Sequence, residues 1–280
     1  VTTTTASGPA TTAPTAPPTT PAPGPPVAPF EIGILGDTGY SSSQDDALLE
    51  IREDMNGYPL AFTVHAGDIW AEGTPCTDEN YRRVANVFDG FAHPFVYTPG
   101  DNEWTDCNQS SSGRLDSIRD IFFPTDQTLG RVRASVARQA EAPENARWSA
   151  GGVVFATINE PGADGRGGSH RDRNLAWLDA AFDQAEASGA PGVMIIWQDN
   201  PFEPSGGRLY RRLKERTELF ARPVVLVHGD THDQRIDHPW DDVPNFTRVE
   251  TYGDTSSAVW IRGIVSPSTP WVFDFDKEHA

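Results

Sequence analysis

The chain has 280 residues, 37% of them apolar, enough to build the core of one large α/β domain or two small ones. Asp and Glu (40) outnumber Lys and Arg (22), and the formal charge of -18 argues against a protein that tracks nucleic-acid phosphates, because that affinity comes from basic side chains. No run is long and apolar enough to span a bilayer as a helix.

Residues 1–29, "VTTTTASGPATTAPTAPPTTPAPGPPVAP", carry no charged side chain and almost no bulky apolar one. Such a composition buries too little surface to offset chain entropy, so the stretch reads as a disordered Thr/Pro-rich linker made stiff by its prolines. Thr/Pro stalks suit an exported, extracellular or cell-surface protein; a plain interdomain spacer is the other reading. With neither an initiating Met nor a signal peptide, the chain reads as processed or truncated.

From residue 30 to 280, apolar runs alternate with helical patterns. "FEIGILGD" (30–37) predicts a buried strand, residues 43–55 a helix with an acidic first turn, and "LAFTVHAGD" (60–68) a second strand. A helix over 78–89 leads to the strand "PFVYTPGD" (94–101), and a helix over 114–123 leads through an irregular stretch to the strand 151–159. After the Gly-rich "EPGADGRGGSHRD" come a helix whose apolar face holds Leu175, Trp177, Leu178, Ala181 and Phe182, and the strand "GVMIIWQD" (192–199). A helix over 206–220, the strand "PVVLVHGD" (223–230) and strand-like runs near 246–252, 258–265 and 271–275 complete the chain. This alternation followed by a strand-rich tail points to a layered α/β sandwich with mixed sheets.

Five strands end in polar residues where the chain turns: Asp37, Asp68, Asp101 with Asn102, Gln198 with Asp199, and Asp230 followed by His232. Ligands of open α/β sheets bind beyond the carboxyl ends of strands, so these side chains are expected in one crevice. Carboxylates gathered without Lys or Arg need a metal ion or raised pKa values. Cys76 and Cys107 each follow a strand-to-loop junction, so a disulfide is expected, in keeping with an oxidising compartment; two free thiols or a soft-metal pair are the alternatives.

The blocks "GDTG" (36–39), "HAGDIW" (65–70), "PGDNEW" (99–104), "IIWQDNP" (195–201) and "HGDTH" (228–232) resemble, in order and spacing, those of the calcineurin-like metallophosphoesterases, which include the purple acid phosphatases. The resemblance covers residues 30–280. It implies a four-layer α/β/β/α sandwich with two mixed sheets and hydrolysis of phosphomonoesters or phosphodiesters by a hydroxide bridging two divalent ions. It makes Asp37, Asp68, Asp101 or Asn102, Gln198, Asp230 and His232 the metal ligands, with Asp68 shared between the ions.

The departures from the family pattern are chemical. Gly39, Gln198 and Asp230 stand where the family has His, and Ala71 replaces the second-block Tyr of purple acid phosphatases, although Tyr40 is near. Oxygen in place of nitrogen favours Mg, Mn or Ca over Zn and weakens an Fe(III) phenolate centre. In the third block an ungapped match puts Asp101 at the ligand Asn and Asn102 at the catalytic His; a one-residue insertion instead makes Asn102 the ligand and Glu103 the acid.

Plainer readings stand beside these. Asp37, Asp68 and Asp230 suit helix N-caps, Gln198 suits a backbone hydrogen bond, and His65 and His228 suit satisfied core positions. The Gly-rich stretch 162–173 reads first as a flexible surface loop, and in the alternative reading Arg166, His170 and Arg171 meet a phosphate, with His170 the candidate proton donor to the leaving group. "NFT" at 245–247 matches the N-glycosylation pattern. The expected function is metal-dependent hydrolysis of a small-molecule phosphate ester by an exported monomer without nucleic-acid affinity; the alternative is a cell-surface binding or structural domain that keeps the fold without turnover.

Overall fold

The computed structural model describes residues 1–2, 27–107, 111–161, 168–202, 207–253 and 257–276. The linker expectation for 1–29 falls almost wholly on residues 3–26, outside the described residues, and so does the expectation for Arg166.

Two mixed sheets stack face to face. The first has five strands in the order β12 (Phe273–Asp276), β11 (Ile261–Val265), β1 (Phe30–Leu35), β2 (Phe62–His65) and β3 (Phe95–Tyr97), of which β1, β2 and β3 are parallel. The second has seven, in the order β4 (Ala137–Gln139), β5 (Ala142–Ala150), β6 (Val153–Thr157), β7 (Val193–Ile196), β8 (Val224–His228), β10 (Phe246–Glu250) and β9 (Arg235–Asp237). Here β6, β7, β8 and β10 are parallel.

Alternation along each strand decides the layers. Ile32 and Ile34 of β1, Phe62 and Val64 of β2, and Met194 and Ile196 of β7 point between the sheets, where they pack with Phe155, Val225 and Val227. Their neighbours face outward. Val193 and Ile195 meet Leu178, Phe182 and Leu213 of helices α4 (Ser169–Ser188) and α5 (Arg208–Phe220). Leu48, Ile51, Tyr81, Phe88, Ile118 and Phe122, from α1 (Ser42–Met55), α2 (Asp78–Phe88) and α3 (Ser111–Phe122), cover the other sheet. The expected four layers α/β/β/α result, each fully buried large side chain contributing roughly 1.5–3 kcal/mol. Trp177 lies in this packing as expected. No helix among the described residues is long and apolar enough to cross a membrane.

The structure adds three strands, β4, β5 and β9, to those expected. β5 escapes a search for alternating apolar residues because polar Glu144 and Asn145 are buried in it beside the small Ala142 and Ala146. Glu144 accepts two 2.8 Å hydrogen bonds from the Arg119 guanidinium, and Asn145 donates to Gln139 and Asn174. Paired in this way, polar side chains tolerate burial. The side chain of Asn245 in the "NFT" stretch donates to the carbonyls of Thr217 and Arg222, which ties it to the fold as a structural brace.

Candidate active site

Beyond the carboxyl ends of β1, β2, β3, β7 and β8 the chain turns sharply, and the turn residues carry the site. Asp37, Asp68, Asp230 and His232 have φ of 54, 55, 83 and 58°, in the left-handed region that side chains other than Gly rarely adopt. One further non-Gly residue in the described chain, Ala221 at the end of α5, shares that conformation. Such strain clusters at functional sites, where the surrounding structure enforces it.

The turns bring the expected residues together. Gln198 Nε2, from the second sheet, donates to Asp68 Oδ2 of the first at 3.0 Å and reaches Asp230 Oδ1 at 3.4 Å. Asp37 Oδ1 accepts from the backbone N–H of Asp230 at 2.9 Å and lies 3.8 Å from His232 Nε2. Asn102 Nδ2 lies 3.1 Å from Asp68 Oδ2, 3.2 Å from the Tyr40 hydroxyl and 3.0 Å from the Trp70 carbonyl. The Tyr40 hydroxyl donates to Asp68 Oδ2 at 3.0 Å, and its ring stands edge-on to His232.

Two residues outside the expected set hold it in place. Thr251 donates from its hydroxyl to Asp37 Oδ2 at 2.8 Å, and the backbone N–H of Asn200 donates to Asp230 Oδ2 at 3.2 Å. Thr251 follows β10 as the other site residues follow their strands, so the same strand-end rule applied to that run would have found it.

The electrostatics are those of acids without a counter-charge. Among the described residues Asp37, Asp68 and Asp101 form no ion pair with Lys or Arg, and the charges that act on them are those of other acids, Glu103, Asp106 and Asp230 among them. Burial, reinforced by the Asp230 and Glu103 charges, pushes Asp37 up to about 8, although the Asp230 N–H and the Thr251 hydroxyl pull the other way. Asp68 is driven well above the ordinary carboxylate range by burial and then by Glu103, Asp101 and Asp37. Asp101 is raised to about 6, chiefly by burial. Burial and the neighbouring carboxylates raise the Tyr40 phenol, which therefore stays a neutral donor.

Two expected proton donors are held by hydrogen bonds to the fold. Glu103 is fully buried, and its Oε1 accepts from the backbone N–H groups of Gly100 and Asp68 and from the Tyr97 hydroxyl. It ties the second block to the third from beneath. His170 is buried, with Nε2 donating to the Asn159 carbonyl at 2.9 Å, so that nitrogen is committed to the fold. His65 and His228 are fully buried; His65 accepts the Gly67 N–H and pairs with the Thr38 hydroxyl. Cys76 and Cys107 form the expected disulfide, with both sulfurs within 3.8 Å of the Asn102 carbonyl oxygen.

No family model and no curated protein matches the sequence. Solved structures do match the fold. Purple acid phosphatase from yellow lupin (Lupinus luteus) seeds superposes with a TM-score of 0.57 at 10% identity, covering 89% of this chain and 52% of that one. A 5'-nucleotidase from Candida albicans superposes with a TM-score of 0.50 at 12% identity, covering 88% and 51%. The chain spans about half the length of these two proteins. With its two stacked mixed sheets and its site beyond the carboxyl ends of their parallel strands, the chain has the fold of the calcineurin-like metallophosphoesterases.

Proposed function

We propose that the chain hydrolyses phosphate esters of small molecules with the help of a divalent cation. The observation that carries the reading is the meeting of Asp37, Asp68, Asp230 and His232, each held in a left-handed turn, where buried acids face no Lys or Arg. Holding such acids together costs free energy, and a cation offsets that cost.

The donors fit a hard ion in kind: carboxylate oxygens, one imidazole and the amide oxygen of Gln198, which is buried without a partner. Their spacing is looser. Among the described residues no three His, Cys, Asp or Glu side chains are gathered into a metal-holding group, and the Asn102 and Gln198 amides stand beside Asp68. Asp37, Asp68, Asp101, Asp230 and His232 would have to draw closer together to hold the ion. Bound there, it supplies positive charge to the phosphoryl oxygens and acidifies water.

The side chains of the site divide the remaining work. Asn102 and Tyr40 offer neutral hydrogen-bond donors, suited to orienting a phosphoryl oxygen. An amide has no proton to give, so Asn102 cannot act as the leaving-group acid. The His232 side chain is 28% exposed. The disulfide agrees with an exported, extracellular protein, and we place the chain there.

The test is turnover of an aryl phosphate and its matching diester by chelated protein refilled with Mn, Mg, Ca or Zn. Cation-dependent hydrolysis of either ester is the expected result, and bound cation without turnover of either would sink the reading. That second outcome suits a binding domain, a reading favoured by the two amides that stand where the family resemblance places imidazoles.

A further inference from the structure

β10 ends in a segment that none of the five sequence blocks contains, and that segment stands behind the site. Thr251 donates to Asp37 Oδ2 at 2.8 Å. Two residues further on, a Cβ atom at Gly253 would lie 2.5 Å from Cδ2 of the His232 ring and 2.9 Å from Cβ of Asp37, so the backbone there runs against both. Glu250, the last residue of β10, lies in register beside His228, where the turn after β8 begins.

The Glu250 side chain is fully buried, which a carboxylate tolerates when its oxygens are occupied. Oε1 accepts from the Thr231 hydroxyl, and Oε2 lies 2.9 Å from Nε of Arg235, the residue opposite Glu250 on β9. Thr231 is exposed and stands between Asp230 and His232, whose φ of 83 and 58° are left-handed. Two side chains hold that conformation one residue apart only where the surroundings enforce it. Within the turn, the Thr231 N–H reaches the Gly229 carbonyl at 3.2 Å. The Thr231 hydroxyl carries the link from the turn to the second sheet.

We infer that Glu250 is a positioning residue of the site: through the Thr231 hydroxyl it fixes the turn that presents Asp230 and His232, while Thr251 and Gly253 back Asp37 and the His232 ring. Glu250 acts on both turn residues at one remove. The inference deepens the phosphoesterase reading above and rests on it for the chemistry, so the experiment reads the turn and the turnover separately.

The His232 ring is the reporter. It stands edge-on to the Tyr40 ring, with 4.9 Å between centroids, so the Tyr40 ring current displaces its NMR signals and release of the turn moves them toward unfolded-chain values. The signals are assigned by their loss in His232→Asn and followed in the chelated full chain. Thr231→Val removes the hydroxyl at an exposed position, where folding is little affected. The His232 signals are expected to move in Thr231→Val and to return in Thr231→Ser, which restores the hydroxyl. Unmoved signals in Thr231→Val overturn the inference and leave the phosphoesterase reading standing.

Glu250→Ala is expected to move the His232 signals as Thr231→Val does. Glu250→Gln is expected to leave them in place, because an amide gives the Thr231 hydroxyl a partner in either orientation. A folded Glu250→Ala protein with native His232 signals refutes the part assigned to Glu250. Turnover of an aryl phosphate by the cation-refilled chain should fall about tenfold in Thr231→Val and recover in Thr231→Ser. Moved signals with full turnover refute the positioning role, whereas moved signals with no turnover even by the unsubstituted chain leave the hold on the turn standing and overturn the phosphoesterase reading alone.

Discussion

A Cβ atom at Gly229 would lie 2.1 Å from Asp37 Oδ2, so the strand-end turn of one sheet and a site carboxylate of the other share a space that only glycine leaves open. Real side chains do not approach so closely. Gly229→Ala is expected to push the Asp37 carboxylate aside, costing about 1–3 kcal/mol of stability, the usual range for overpacking. Cation affinity should fall with it. Denaturant unfolding and a cation titration on the same variant check both, and unchanged affinity would separate Asp37 from cation binding.

Thr251 donates to that same carboxylate from within the core. Thr251→Val keeps the shape and removes the hydroxyl, at an expected cost of about 0.5–1.5 kcal/mol, the net contribution of an ordinary buried hydrogen bond. Because this hydroxyl lowers the Asp37 pKa, its loss raises it further, and the acid limb of any pH–rate profile set by Asp37 should move to higher pH. A variant with an unshifted profile would show that Asp37 does not set that limb.

Asp37, Glu103 and Asp101 are raised to about 8, 7 and 6, so near neutral pH the folded chain holds protons that the unfolded chain has released. Their contribution is fully present below about pH 4 and is lost as pH rises toward 8. Buried His65, His93 and His228 are lowered to about 3, 4 and 3 and act in the opposite sense. Their contribution is present above about pH 6.5 and is lost as pH falls toward 3. Above about pH 6.5 the acids alone govern the slope, so the melting temperature of chelated protein should fall between pH 6.5 and about 8.5. A bound cation replaces the protons, and its stabilising effect should be larger at pH 8.5 than at about 5.5. Equal stabilisation at the two pH values would place the cation away from these acids.

The Cys76–Cys107 disulfide, with a sequence separation of 31, staples the loops that carry Asp68 and Asn102. Closing a loop of that length restricts the unfolded chain by about 3–4 kcal/mol. Reduction should therefore lower the melting temperature, and it should weaken cation binding as well, since both sulfurs border the Asn102 carbonyl. Thermal scans and cation titrations with and without reductant, with thiols counted after denaturation, test the coupling. Lost stability with unchanged cation affinity would show that the staple leaves the site alone.

The sequence by itself determined the layers and the meeting of strand ends. Period-two alternation in runs such as "VMII" needs two apolar partners, a sheet on one side and helices on the other, and that requirement is local and readable. The acids at the turns were equally legible, because a strand end is where a side chain leaves the core. What the side chains do once they meet belongs to the tertiary structure. In the sequence Asn102 and Gln198 are candidate ligands, and in the fold their N–H groups converge on one oxygen of Asp68, 34 and 130 residues away in the chain. Glu103 is the candidate acid if the third block carries an insertion, and what it touches, the N–H groups of Gly100 and Asp68 and the Tyr97 hydroxyl, comes only with the fold. Hydrogen-bond direction and burial depend on atoms brought together from distant segments, and no local pattern encodes them.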